Sequence, residues 1–376
     1  MHPVTTHRNP VHQNLSPHLL AHPVTAHRNP VHQNHRRIGV GPRPRLRDSV
    51  GGMRSVVCRE LGPPDVLVLE EAPDPEAGAG QVLVEVEACG VNYVDALFVS
   101  GGYQIKPALP FTPGSDVAGT IIGIGDGVEG FAVGDRVAAM VGLGGYSSRT
   151  AVHAAGAIPV PDGLSAATAA GLIQSYATAL FALRERAHLA EGETVLVLGG
   201  AGGVGLATID VARALGARVI AAASSDEKRA ACLAAGAESV IDYTTGDLKV
   251  RARELTGGDG VDVVLDPVGG DSADPALRSL RLFGRYLVIG FAAGEIPRLP
   301  LNQVLLRNRS ILGVDWGAWA MQHGPQNRAL LDELFAWAAE GRITPPEPTA
   351  YPLDRVADAL GDLLGRRLTG KAVLVP

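Results

Sequence analysis

Residues 194–228, TVLVLGGAGGVGLATIDVARALGARVIAAASSDEK, run as strand, glycine turn, helix and strand without a break. The apolar run at 195–198 has strand length and feeds Gly200-Ala201-Gly202-Gly203-Val204-Gly205, which fits G-x-G-x-x-G in register. Each glycine has a task in that pattern. The first permits a tight turn, the second lets backbone approach a pyrophosphate, and the third allows the next helix to pack closely on the strand. Val204, Ala207, Val211 and Leu215 recur at helical spacing, Gly216 ends the helix, and residues 218–223 form a second apolar strand. A unit built this way holds a dinucleotide, its diphosphate lying over free amides at a helix N-terminus. The alternative is a glycine-rich turn in some other α/β domain.

The tip of the second strand bears on which dinucleotide. An NAD site usually carries Asp or Glu about 20 residues after the motif, to hold the ribose hydroxyls. Here Ala223 is followed by Ser224, Ser225 and, one turn later, Lys228 and Arg229. Two hydroxyls and two cations suit a 2′-phosphate, so NADP(H) is the expected cofactor. Two readings stay open beside it. Ser225 could cap the next helix with the cations solvated on its outer face, and Asp226, two residues past Ser224, keeps NAD(H) in play.

At 376 residues, 46% hydrophobic and 19% charged, the chain can bury two cores. No apolar run reaches membrane-spanning length, so no membrane partner is expected. Cys58, Cys89 and Cys232 are too few and too scattered for a disulfide framework or a four-cysteine zinc site. A reducing cytoplasm is the natural compartment.

Residues 1–52 differ from the rest. HPVTTHRNPVHQN recurs as HPVTAHRNPVHQN twenty residues later, with hardly any core-forming side chains. Eight of the 11 histidines fall here, at spacings that fit no rigid metal site. Seven arginines against Asp48 give the leader +6 and leave −12 on the remainder, and an acidic body argues against nucleic acid as partner. The expectation is that Met53 is the true start and that residues 1–52 are translated upstream sequence or a disordered arm.

From Met53 short strands at 55–58, 66–70, 81–88, 115–128 and 135–139 alternate with Pro/Gly turns, as in a compact β-domain. An alanine-rich helix at 166–183 then leads into the dinucleotide unit. Further parallel strands follow at 240–242, 261–266, 286–289 and 310–314, with helices at 247–255 and 271–282 between them. A helix at 327–340, a segment at 351–364 and a strand at 372–375 close the chain. The cofactor domain is therefore inserted into β-domain material. The expected boundaries are 1–52 for the leader, 53–175 for the catalytic domain, 176–316 for the Rossmann domain, and 317–376 for the return.

This order, with Cys89-Gly90-Val91-Asn92-Tyr93-Val94-Asp95, Pro113-Gly114-Ser115-Asp116-Val117-Ala118-Gly119, Gly134-Asp135-Arg136-Val137 and Gly202-Gly203-Val204-Gly205, resembles the medium-chain dehydrogenase/reductase superfamily. Within it the chain is similar to the NADPH:quinone oxidoreductase branch, the zinc-free relatives of zeta-crystallin, over residues 53–376. The resemblance implies an α/β fold: a GroES-like β-domain with an inserted doubly wound Rossmann domain. Zinc alcohol dehydrogenases of this superfamily carry Cys where this chain has Asn92 and His where it has Ser115. Both replacements are poor zinc ligands, and the loop with four structural zinc cysteines is missing, so a metal-free enzyme is expected. Asp95 and Asp116 alone would hold zinc weakly, and Cys89 reads as a buried core thiol.

A site without a Lewis acid must deliver hydride to an electron-poor acceptor, which points to a quinone or activated enone as the small-molecule substrate. The resemblance carries Asn92 to the substrate end of the cleft and Tyr103 to the cofactor side, where aromatic packing is the plain alternative. It carries Thr178, with Gln174 and Tyr176 beside it, to the helix before the Rossmann unit, and Tyr243 to the neighbourhood of the 2′-phosphate. Gly290, Phe291 and Trp316 match backbone and wall positions along the nicotinamide. Residues 266–270 end the fourth strand at the crevice mouth. Lys371, in a turn the family shares, is expected at a phosphate or in solvent. His153, His188 and His323 are isolated and read as surface or core histidines. Water is the default proton source, with Tyr103 and Tyr146 as alternatives. The apolar strand at 310–314, next to Trp316, predicts a homodimer through sheet-edge pairing. Two further readings stay open: an enoyl, 2-alkenal or acryloyl-CoA-type reductase of the same fold, and a non-catalytic NADPH-binding protein.

Overall fold

The computed structural model describes residues 52–376, so the leader repeat and its histidines lie outside the described residues. The chain begins with an antiparallel ribbon of β1 (Met53–Cys58) and β2 (Leu67–Ala72). β3 (Gln81–Val91) follows, with Val82, Val84 and Val86 at period two facing the core. After α1 (Tyr93–Ser100) come β4 (Asp116–Ile124), β5 (Arg136–Met140), β6 (Arg149–His153) and β7 (Ile158–Pro159). β4 pairs with β3 and β5, β6 with β3, and β7 with β5, all antiparallel.

α2 (Ala166–Leu180) starts where Ser165 Oγ accepts the Thr168 N–H at 2.9 Å, and it continues as a wider π-type turn over Phe181–Arg186. Its alanines let it lie close to β3, β4 and β5 on one side and to the helix after the glycine turn on the other. The domain boundary expected at 175/176 thus falls inside a shared element. By length and hydropathy Ala166–Arg186 would also suffice to cross a membrane, which corrects the reading that no run does; 83% of its most apolar window is buried within the protein.

The inserted domain alternates strand and helix: β8 (Thr194–Val197), α3 (Gly203–Ala214), β9 (Arg218–Ala223), α4 (Asp226–Ala234), β10 (Ser239–Asp242), α5 (Leu248–Leu255), β11 (Val261–Asp266), α6 (Ala273–Ser279), β12 (Leu280–Val288), α7 (Leu301–Leu305) and β13 (Ser310–Gly313). The six strands are parallel in the order β10-β9-β8-β11-β12-β13. β8 and β11 are buried throughout, as central parallel strands must be. The order reverses between them, and their carboxyl ends open the crevice where such sheets bind ligands. β12 begins six residues before the expected 286, and α6 stops at Ser279 rather than 282. Arg281, Gly284 and Arg285 interrupt the apolar run there, and the register with β11 shifts between Leu280 and Arg285.

The return comprises α8 (Trp316–Gln322), α9 (Gly324–Ala339), β14 (Thr349–Pro352), α10 (Val356–Leu364) and β15 (Ala372–Val375). β15 lies antiparallel on β3 with Ala372 opposite Val91, which brings Lys371 over Asn92. Just before it, the Gly370 N–H donates to the Ala201 carbonyl at 2.7 Å, and Gly370 bridges to Gly202. The last segment of the chain therefore joins the β-domain sheet and the glycine turn.

Candidate active site

The left-handed residue of the turn after β8 is Gly199, at φ +57°, one position before the glycine expected to make it. Gly200 serves close packing instead: a Cβ there would stand 2.9 Å from Ala221 Cβ and 3.0 Å from Cys232 Sγ. Gly205 fulfils its expected role, since a Cβ would come within 2.3 Å of the Gly199 carbonyl oxygen. Gly202 is the exposed N-cap of α3 and offers no side chain to its first turn. The amides of Gly203, Val204 and Gly205 begin that helix, where N–H groups lack intrahelical partners, so the turn fits a diphosphate. Ala201 is buried, with its carbonyl spent on Gly370.

Beyond β9, Ser224 is exposed, and Ser225 caps α4 by accepting the Lys228 N–H at 3.3 Å. That is the structural role left open for Ser225. Arg229 is consumed internally: its guanidinium pairs with Asp226, with Asp242 at 3.0 Å and with the Ala223 carbonyl at 3.3 Å. Lys228 is placed differently, its Nζ donating to the backbone oxygen of Arg366 at 2.6 Å. Arg366 is exposed, at φ +54°, and its own guanidinium donates to the Ala292 carbonyl at 2.9 Å. No local pattern marks this contact, because Arg366 arrives from 138 residues downstream. Tyr243 lines a cavity of about 300 Å³ with Asp247, Asp271, Ser272 and Pro275. Tyr243 also follows Asp242, which stands opposite Ala223, so it lies beside the tip of β9, where the 2′-phosphate is expected.

Asn92 is 5% exposed and stands at the N-terminus of α1. Its Nδ2 donates to Asp116 Oδ2 at 2.8 Å and Ser115 Oγ at 3.3 Å, while its Oδ1 accepts from Lys371 Nζ. The amide expected to hold ribose or substrate is therefore engaged inside the protein. Beside it, Asp95 Oδ2 accepts the Asn92 N–H at 2.8 Å and the Tyr146 hydroxyl at 2.9 Å. Burial, opposed by those two hydrogen bonds, lifts the Asp95 carboxyl to about 7. Burial lifts Asp116 to about 6 against the pull of Lys371 and Asn92, and pushes the Cys89 thiol and the Tyr146 phenol well up. Tyr146 and Cys89 are fully buried core groups, which removes Tyr146 as a direct proton donor.

Tyr103 packs edge-on against Phe98 with ring centroids 4.9 Å apart, the packing role weighed for it, and burial followed by the charge of Asp315 raises its phenol. Thr178 is 9% exposed on α2, and Tyr176 ties α2 to α3 through Asp210 at 3.1 Å. Gly290 and Phe291 follow β12, with Phe291 lying against Gly269 at the end of β11. Trp316 is 4% exposed, belongs to the main core and donates its indole N–H to Asn327 at 3.0 Å. It is a core residue and not a wall of the cleft. His153 and His188 are exposed, and His323 stacks on Trp319.

No group of three or more His, Cys, Asp or Glu side chains arranged to hold a metal occurs among the described residues. At the position of the lost ligands, Asn92 and Ser115 hydrogen-bond each other and Asp116.

Two family descriptions match the chain: "Alcohol dehydrogenase GroES-like domain" over residues 78–162 and "Zinc-binding dehydrogenase" over residues 203–333. The chain is 41% identical to quinone oxidoreductase-like protein 2 of Bos taurus, over 85% of this chain and 92% of the relative. It is 36% identical to the quinone oxidoreductase of Rattus norvegicus over 83% and 94%. Among solved structures, the Escherichia coli quinone oxidoreductase complexed with NADPH superposes with a TM-score of 0.80 at 30% identity, covering 86% of this chain and all of that one. The sheet order, the glycine turn and the missing ligand pair agree with these likenesses: the chain belongs to the zinc-free quinone oxidoreductase branch of the medium-chain dehydrogenase/reductase superfamily.

Proposed function

We propose that the protein is a metal-independent, NADPH-dependent reductase that passes hydride to a quinone or a similarly electron-poor carbonyl compound. The observation that carries the cofactor is the Lys228 ammonium past the tip of β9, held by the backbone oxygen of Arg366, where an NAD site would place a carboxylate. The relative from Escherichia coli is described as complexed with NADPH, which supports the same choice. NADP(H) when bound supplies the hydride. Gly202 and the first amides of α3 receive the diphosphate, and Lys228 and Arg366 receive the 2′-phosphate. The residues at the lost ligand positions hydrogen-bond each other, so the acceptor must take hydride without Lewis-acid help, as quinones do.

The remaining expectations belong to this reading. The chain divides into a catalytic domain, an inserted Rossmann domain and a C-terminal return, and β13 at the sheet edge pairs two copies into a homodimer. Three buried, unpaired cysteines suit a reducing compartment such as the cytoplasm. Steady-state NADPH oxidation against a panel of quinones, 2-alkenals and enoyl thioesters tests the substrate class. Turnover confined to quinones supports the proposal; turnover confined to enals or enoyl thioesters replaces it with an enoyl reductase.

A further inference from the structure

Lys371 was expected at a phosphate or in solvent, and it does neither. Its side chain runs inward past Gly171 and Gly203, where added Cβ atoms would stand 3.3 and 3.4 Å from its methylenes, and ends on Asn92 Oδ1. Two carboxylates, Asp95 and Asp116, are 0% exposed in the same volume, and each has one oxygen with no hydrogen-bond partner. Cys89 and Tyr146 complete the titratable groups there, and both stay neutral under burial. An uncompensated buried charge costs several kcal/mol. Lys371 reaches both acids through Asn92, which accepts from its ammonium, donates its Nδ2 to Asp116 and its backbone N–H to Asp95, and the Lys371 charge opposes the rise of both carboxyls. Its backbone neighbour Gly370 is hydrogen-bonded to Ala201 of the glycine turn.

We propose that Lys371 is a positioning residue: its ammonium is the internal counter-ion of Asp116 and Asp95 and fixes the orientation of the Asn92 amide, while its backbone binds that cluster to the cofactor-binding turn. The polar floor beneath α1 and the glycine turn are then one mechanical unit. The inference rests on the proposed reductase function only for its kinetic consequence, since the charge arrangement belongs to the cofactor-free protein.

The test compares Lys371→Met, Lys371→Arg, Asp116→Asn and the double variant Lys371→Met/Asp116→Asn in the full chain. Melting of the cofactor-free protein, the dissociation constant for NADPH and kcat with a quinone are measured from pH 5 to 8. Lys371→Met is expected to melt lower than wild type by a margin that widens with pH, as the unpaired carboxylates ionise. NADPH binding should change less than about threefold, while kcat falls at least tenfold. Lys371→Arg should restore both properties, and Asp116→Asn should restore melting in the Met background by removing the orphaned charge. If Lys371→Met does not fold alone but the double variant does, the counter-ion role is supported equally. A tenfold weaker NADPH affinity with unchanged melting would make Lys371 a phosphate ligand and overturn the proposal, as would a double variant no more stable than the single. If the wild type oxidises NADPH with none of the quinones, 2-alkenals or enoyl thioesters, the proposed function fails while the melting comparison still decides the role of Lys371.

Discussion

The ammonium of Lys228 lies 2.6 Å from the backbone oxygen of Arg366, which ties the last turn of the chain to α4 beyond the tip of β9, while the Arg366 guanidinium is held on the Ala292 carbonyl. Arg229, next in sequence, is neutralised by Asp226 and Asp242 and has no such freedom. Replacing Lys228 or Arg366 with Ala is expected to weaken NADPH binding about ten- to a hundredfold, the value of one charge-assisted contact, and to leave NADH nearly unchanged. Arg229→Ala should alter stability rather than selectivity. Isothermal titration with both cofactors decides it, and equal weakening of NADPH and NADH by Lys228→Ala would remove these residues from the 2′-phosphate.

Trp316 provides a check on the boundary between core and cleft. Trp316→Phe removes the indole N–H donated to Asn327 and part of a buried ring, so it should lower stability by about 1–3 kcal/mol. The KM for NADPH should not move. A raised KM with unchanged melting would return Trp316 to the nicotinamide wall.

These two cases mark how far the sequence was legible. The glycine turn, the parallel strands and the lost zinc ligands were readable because each rests on a local pattern of spacing or residue type. Lys371 and Arg366 were misjudged or missed because their partners, Asn92 and Lys228, are joined to them only by the return of β15 to β3 and of the last turn to α4. Trp316 was misplaced because its position after a strand does not reveal that Asn327, one helix later, takes its N–H. Residues 280–285 hid a strand because Arg281, Gly284 and Arg285 break the apolar run that marks a central one.

Asp95 gives a pH-dependent prediction with a definite sign. Its carboxyl rises from an ordinary 3.8 to about 7, chiefly through burial, so the folded protein holds a proton that the unfolded chain releases above about pH 4. That group's contribution to stability is therefore present below about pH 4 and lost progressively as pH rises to about 7. Asp95→Asn keeps an acceptor for the Asn92 N–H and the Tyr146 hydroxyl but cannot ionise. Its melting temperature relative to wild type should climb between pH 4 and pH 7; a pH-independent difference would contradict the assignment.

β13 stands at the open edge of the six-stranded sheet, and Leu301, Leu305 and Leu306 just before it are 70–76% exposed. An apolar edge of this kind is usually covered, and pairing with a second copy is the simplest cover. Light scattering at micromolar concentration should give twice the chain mass, and Leu305→Glu should shift it towards the monomer. A monomeric wild type rules out the pairing.

The central claim is hydride transfer from NADPH without metal, and it follows from Asn92 and Ser115 standing hydrogen-bonded together at the lost ligand positions. The direct measurement is the rate of NADPH oxidation with a quinone acceptor after exhaustive chelation, with and without added zinc. The account predicts the same rate in both samples, stoichiometric quinone reduction, and much slower turnover with NADH. A rate abolished by the chelator and restored by zinc would contradict it.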